Sequence, residues 1–160
     1  QKTAYEIYQC DWSSDVCSSD LVTGISNPLV HQRIESVNCS DLSGATVTIS
    51  FWAKQTSGAG TNTIFLNLYY ATSADTWTSS TQIGSTQFFN GSSSWTQYTA
   101  TFTGLPSSSV NGLEIQLGSN VSGTSTVEWT GVQLEKGVSA TSFDVVIVSI
   151  EISSIINPRI

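Results

Sequence analysis

The chain has 160 residues, of which 39% are hydrophobic and 11% are charged, and its net charge is −7 with only five Lys and Arg. This apolar fraction is enough for one domain with a hydrophobic core, which excludes a disordered chain. Because so few basic residues cannot neutralise a phosphate backbone, we expect no nucleic-acid partner. No stretch is apolar enough for a transmembrane helix or organised like a secretory signal, so we expect no membrane insertion.

The first residues differ from the rest of the chain. Residues 1–21 resemble the conceptual translation of a sequencing-library adapter, and residues 10–21, CDWSSDVCSSDL, carry that resemblance. We therefore expect this segment not to belong to the fold. Two of the three cysteines, Cys10 and Cys17, lie in it, which leaves Cys39. A single thiol forms neither an intramolecular disulfide nor a zinc site, so we expect no metal.

From residue 29 onward, apolar and polar residues alternate in short runs separated by Gly, Ser, Asn and Pro. This alternation predicts strands with one face in a core and the other in water. The predicted strands cover residues 29–37, 46–55, 63–72, 82–89, 95–104, 112–118 and 125–134, and residues 73–80 form a loop containing Trp77. Short strands at this spacing predict an all-β fold, a two-sheet antiparallel β-sandwich of the jelly-roll type.

The end of the chain is also distinct. Residues 145–160, VVIVSIEISSIINPRI, are rich in β-branched residues and lack the Gly/Ser turns found elsewhere. We predict residues 22–143 as the folded domain and residues 144–160 as an atypical tail. An extra strand, an interface segment and a frameshifted read-through all remain open for this tail, and such a run would be prone to aggregate if exposed.

Alternation also assigns side chains to the two faces of each strand. In residues 46–55, Val47, Ile49 and Phe51 are predicted to face the core, which turns Trp52 outward. If the strands belong to one sheet, their outward residues form an aromatic and amide surface. Such a surface suits sugars, because rings stack on sugar C–H groups and amides bind hydroxyls. The candidate ligand-binding residues are Trp52, Asn67, Tyr69, Gln97, Glu114, Gln116 and Glu128.

These residues also have a purely structural interpretation. A loop or the other sheet can cover Trp52 and Tyr69, and Glu114, Gln116 and Glu128 can be ordinary solvated strand residues. We assign the remaining tryptophans of the strands, Trp95 and Trp129, to the core or its rim.

No arrangement of residues predicts catalysis. Glu114 and Glu128 are the only carboxylates that could face each other on neighbouring strands, as a glycosidase requires, and two solvated carboxylates explain them as well. His31, the single histidine, lies in a predicted strand without a nucleophile motif. We therefore expect no enzymatic activity and no catalytic residue.

Three separated motifs resemble a known group of domains. They are residues 46–54 (TVTISFWAK), 95–103 (WTQYTATFT) and 130–137 (TGVQLEKG), within a resemblance that covers about residues 27–143. The chain is similar to carbohydrate-binding-module-like jelly rolls of bacteriophage tail-fibre and other virion proteins, which are galactose-binding-domain-like sandwiches. This resemblance implies a non-catalytic glycan-binding module on a virion appendage. Its partner would be a glycan or cell-surface polysaccharide, and its assembly a homotrimer.

Other hypotheses stay open beside this one. The domain could be a purely structural or oligomerisation domain of a virion, or the binding module of a secreted bacterial enzyme that degrades glycans. In many secreted relatives, paired aspartates in the last strand serve a structural calcium ion, and the matching positions here are Thr130 and Gly131. A structural calcium site therefore stays open, and we expect no other cofactor.

Overall fold

The computed structural model describes residues 20–26, 29–121 and 124–142. The tail predicted at residues 144–160 and nearly all of the adapter-like segment lie outside these residues. Within them, the strands are β1 (Asp20–Ser26), β2 (Leu29–Ile34), β3 (Val47–Ser57), β4 (Ile64–Ser73), β5 (Thr76–Gln82), β6 (Gln87–Phe89), β7 (Thr96–Phe102), β8 (Leu113–Ser119) and β9 (Thr124–Lys136). Short 3-10 helices at Ser36–Asn38 and Ser107–Asn111 lie between strands.

The strands form two antiparallel sheets. One is four-stranded with the order β1-β9-β3-β7, and the other is five-stranded with the order β2-β8-β4-β5, in which β6 also pairs with β4. Strands that are neighbours in sequence, such as β2 and β3 or β3 and β4, lie in different sheets. The predicted all-β, two-sheet antiparallel sandwich is confirmed.

One hydrophobic core lies between the sheets. Val47, Ile49, Phe51 and Ala53 of β3 are fully buried, as their alternation predicts. The strands β4, β7 and β8 contribute alternate residues to the same core, namely Ile64, Leu66, Leu68, Tyr98, Ala100, Phe102, Leu113, Ile115 and Leu117. Each large apolar side chain buried in this way contributes about 1.5–3 kcal/mol, so the inward faces of β3, β4, β7 and β8 are strongly specified.

The prediction around Trp77 is wrong. The expected loop at residues 73–80 and the expected strand at residues 82–89 are instead β5, a turn and β6. Strand β5 is an edge strand of mostly exposed Ser and Thr, so it has no buried row of apolar residues that alternation could reveal. Asp75, with φ of 54°, lies in the tight turn between β4 and β5.

The beginning of the domain also differs from the prediction. Strand β1 was not predicted, and it pairs with β9. Strand β2 ends at Ile34 rather than at residue 37. The carboxylate of Asp75 accepts hydrogen bonds from both the backbone N–H and the Oγ of Ser36, each 2.7 Å long, and so directs the chain out of the sheet.

Candidate ligand-binding surface

The two sheets divide the candidate residues between them. The five-stranded sheet carries Asn67, Tyr69, Glu114 and Gln116, and the four-stranded sheet carries Trp52, Gln97 and Glu128. The outer faces of a two-sheet sandwich point away from each other. The condition on which a single surface depended, that these strands share one sheet, is therefore not met.

Cross-strand register arranges the outer face of the five-stranded sheet in three rows. The charged row is Arg33, Glu114, Tyr69 and Gln82 on β2, β8, β4 and β5. The amide row is His31, Gln116 and Asn67 on β2, β8 and β4. The apolar row is Leu29, Gly118, Phe65 and Phe88 on β2, β8, β4 and β6.

Hydrogen bonds join the side chains of the charged and amide rows. Arg33 Nε donates to Glu114 Oε2 at 2.7 Å, and Gln116 Nε2 donates to Glu114 Oε1 at 2.6 Å. Gln82 Nε2 donates to Asn67 Oδ1 at 3.2 Å. Glu114 is only 5% exposed and both its oxygens accept bonds, so it orients Arg33 and Gln116 instead of presenting a free carboxylate.

Trp77 borders the charged row at the end of β2. The Arg33 Cζ lies 4.9 Å from the centroid of the Trp77 ring, which is a cation–π geometry. A Cβ on Gly112 would lie 3.3 Å from Trp77 Cζ2, so the glycine leaves room for the ring. The nearby turn between β4 and β5 is held by Ser36, whose hydroxyl and N–H donate hydrogen bonds to the Asp75 carboxylate. These bonds lower the pKa of Asp75.

Arg33 and Gln82 also belong to this surface, although neither was predicted as a candidate residue. Arg33 meets Glu114 across 81 positions of sequence, and that contact depends on the pairing of β2 with β8. Gln82 joins the surface through β5, the strand that showed no alternation. The one signal in the sequence for Arg33 was the alternation of β2, which places its side chain on the outer face.

On the four-stranded sheet, the outward charges are paired. Lys54 Nζ lies 2.7 Å from Glu128 Oε1 and 5.4 Å from the centroid of the Trp95 ring. Trp52 is half-buried and lies opposite Gln97 of β7. The carboxylate, the lysine and the exposed Trp95 therefore form one small cluster beside Trp52.

Part of this same face is covered by the chain itself. Thr48, Ser50 and Glu135 point outward, yet they are only 2%, 0% and 6% exposed. The N–H and the Oγ1 of Thr141 donate to the Glu135 carboxylate at 2.7 and 2.6 Å. Residues 138–142 border a groove of about 360 Å³ above Thr48.

Of the other two tryptophans assigned to the core or its rim, Trp129 is 3% exposed in the core, as predicted. Trp95 is instead 39% exposed on the outer face beside Lys54 and is not part of the core. Among residues 29–121 and 124–142, no group of three or more His, Cys, Asp and Glu side chains is placed to hold a metal ion. The part of the chain that the structure describes also contains no helix long and apolar enough to cross a membrane.

No protein-family model and no curated protein matches this chain. Among solved structures, it is similar to one described as "CBM4 structure and function", with 20% identity, a TM-score of 0.51, and coverage of 68% of this chain and 61% of that one. It is also similar to the tripod from the baseplate of bacteriophage Tuc2009, with 22% identity, a TM-score of 0.48, and coverage of 79% of this chain and 49% of that one.

A further similar structure is the CBM22-1 xylan-binding domain from Paenibacillus barcinonensis Xyn10C, with 10% identity, a TM-score of 0.45, and coverage of 75% of this chain and 87% of that domain. The chain thus spans about three fifths of the length of the CBM4 structure. What the chain shares with that structure is the fold, a β-sandwich of the carbohydrate-binding-module type.

Proposed function

We propose that this chain is a non-catalytic glycan-binding module whose site is the outer face of the five-stranded sheet. The proposal depends on one observation, the side-chain hydrogen bonds on this face, which join Arg33 and Gln116 to Glu114 and, separately, Gln82 to Asn67. Because these groups already hold one another in place, a sugar would meet donors and acceptors that need little reordering.

Aromatic rings lie beside these polar groups. Tyr69 is in register between Glu114 and Gln82, and Trp77 stacks against Arg33. The C–H face of a sugar would pack on such rings while its hydroxyls bond to the amides and the guanidinium. A structure described as "CBM4 structure and function" has the same fold, which agrees with a carbohydrate-binding role.

Two features favour this face over the outer face of the four-stranded sheet. Residues 138–142 and the buried outward side chains Thr48, Ser50 and Glu135 leave only part of the four-stranded sheet open. The five-stranded sheet also carries four of the seven candidate residues, namely Asn67, Tyr69, Glu114 and Gln116.

The separation of the carboxylates supports a non-catalytic role. Glu114 and Glu128, the candidate pair for glycoside hydrolysis, lie on different sheets. The Glu114 oxygens are occupied by Arg33 and Gln116, so this carboxylate is not placed to act on a substrate bond.

For the biological setting, we propose an appendage of a phage virion, such as a tail fibre, as the motifs at residues 46–54, 95–103 and 130–137 suggest. Copies repeated in a homotrimer or along a particle would convert weak sugar binding into high avidity for a cell surface. The genomic neighbourhood of the gene distinguishes this setting from a secreted bacterial enzyme.

A second candidate, a purely structural oligomerisation domain, is favoured by the apolar row. Leu29 and Phe88 are each 47% exposed on the same face of the sheet. A partner chain could cover these side chains, because exposed apolar groups that lie together mark contact surfaces.

An array of bacterial and plant polysaccharides tests the proposal directly. The full chain is compared with Tyr69→Ala, Asn67→Ala and the control Thr99→Ala, an exposed residue of the other sheet. We expect both variants of the five-stranded sheet to weaken binding about tenfold, or ~1.4 kcal/mol, and the control to match the wild type. Folded protein that binds no glycan would favour the structural candidate. A loss seen only with Trp52→Ala would move the site to the four-stranded sheet.

A further inference from the structure

The apolar row differs in kind from the two rows beside it. Leu29, Phe65 and Phe88 share one line across the sheet, and that line contains no side chain able to form a hydrogen bond. The neighbouring amide row consists of His31, Gln116 and Asn67, which all form hydrogen bonds readily. The outer face of the five-stranded sheet thus changes from polar to apolar within one row.

Gly118 makes the apolar row flat. A Cβ at this position would collide with the ring of Phe65, so the absence of a side chain is what lets the ring lie against the backbone of β8. Gly118 itself is buried although it points outward, which fits a ring that covers it. The Phe65 ring therefore presents a surface parallel to the sheet.

Phe88 forms a wall beside this surface. Its ring centroid lies 6.5 Å from that of Phe65, and the two rings are inclined at 64° in an edge-to-face arrangement. Phe88 is 47% exposed, as is Leu29 at the opposite end of the row. The rings of Phe65 and Phe88 together form a shallow apolar surface next to the amide row.

We propose that the apolar row is a subsite that selects sugars bearing a methyl group, as in 6-deoxy or acetylated sugars. This inference rests on the proposed function, and it specifies the chemistry that the same face prefers. The amide row would hold the hydroxyls of the sugar ring, while the methyl group packs on Phe65 against Phe88.

The preference follows from desolvation. A hydroxymethyl group placed on the apolar row would give up water without gaining a hydrogen-bond partner from the row, whereas a methyl group loses nothing by leaving water. Burial of one carbon group contributes enough to change affinity roughly fourfold. We therefore expect a modest but reproducible preference, since the row is a surface and not an enclosed pocket.

Matched pairs of sugars test this inference with the full chain. L-Rhamnose is compared with L-mannose and L-fucose with L-galactose, because each pair differs only by methyl against hydroxymethyl. N-Acetyl-D-glucosamine against N-formyl-D-glucosamine, which lacks only the acetyl methyl group, provides the acetyl arm. Dissociation constants come from titrations followed by amide chemical shifts. We expect the methyl member of at least one pair to bind about fourfold more tightly, and the arm that responds identifies the source of the methyl group.

Variants connect the preference to the row. Phe88→Ala, at an exposed position with little risk to folding, is expected to reduce the ratio to about one. Gly118→Ala, which displaces Phe65, should do the same. Thr99→Ala is the control and should keep the ratio.

Three outcomes would overturn the inference. Equal affinities within every pair would contradict the methyl selectivity but not the proposed glycan binding. If no sugar binds, both proposals are wrong. Self-association of the chain that Phe88→Ala abolishes would show that a second copy covers the row.

Discussion

The two outer faces of the sandwich differ in what happens to side chains that point away from the core. On the four-stranded sheet, the outward residues Thr48 and Ser50 are 2% and 0% exposed, next to a groove bordered by residues 138–142. On the five-stranded sheet, Leu29 and Phe88 are each 47% exposed. On that same sheet Glu114 and Asn67 are only 5% and 9% exposed, so on both faces pointing outward is not the same as being available to a ligand.

The largest expected difference between the faces concerns their carboxylates. Glu114 is buried with two side-chain partners, so Glu114→Ala should lower the free energy of unfolding by about 3 kcal/mol. The Glu128 side chain is 18% exposed and has Lys54 as its ion-pair partner, so Glu128→Ala should cost less, about 1.5 kcal/mol. Urea unfolding followed by tryptophan fluorescence measures both. Equal losses would mean that Glu114 is not the buried anchor of its face.

The next effect concerns the flatness of the five-stranded sheet. Gly118→Ala would place a methyl group against the Phe65 ring and should destabilise the fold by about 2 kcal/mol, as overpacking does. Gly60→Ala is the matched control, because its Cβ would meet only Thr63 at an ordinary 3.6 Å. Thermal unfolding of the two variants checks the difference, and a tolerated Gly118→Ala would show that the ring can move away freely.

A pair of conservative exchanges compares the cations of the two faces. Arg33→Lys cannot keep both the Nε bond to Glu114 and the stacking on Trp77, so we expect about fivefold weaker glycan binding, or ~1 kcal/mol. Lys54→Arg on the four-stranded sheet should leave binding unchanged. Titration with the best polysaccharide of the array measures both, and the reverse result would transfer the site to the face of Lys54.

The smallest effect tests how β5 is held at the edge of the five-stranded sheet. The hydroxyl and N–H of Ser36 lower the pKa of Asp75, so its ionised form stabilises the fold above the ordinary carboxyl pKa. This contribution should disappear as the pH falls through the lowered pKa. Asp75→Asn should therefore melt below the wild type at pH 6, and the two melting curves should approach each other at pH 2. A constant gap would show that the hydrogen bonds do not depend on ionisation.

Much of the fold followed from local pattern, but part of the candidate surface did not. Alternation in residues 46–55 correctly assigned Ile49 and Phe51 to the core and Trp52 to the outer face. A one-residue error in this pattern would have exchanged the two faces and placed Trp52 in the core. It gave no signal for β5, whose exposed Ser and Thr bury nothing. Alternation also could not identify Glu114 as the partner of Arg33, because the two residues lie on different strands.

The sequence by itself determined which side of each strong strand faces the core, because burial of alternate apolar residues allows only one register of faces. It also indicated the class of fold, since many short alternating strands with turns between them are typical of an all-β sandwich or jelly roll. Tertiary structure alone decided that Asn67, Tyr69, Glu114 and Gln116 lie together while Trp52, Gln97 and Glu128 lie on the opposite side. The reason is that strand pairing is non-local: β4 joins β8 and β3 joins β9 through contacts between residues far apart in the chain, which no local pattern encodes.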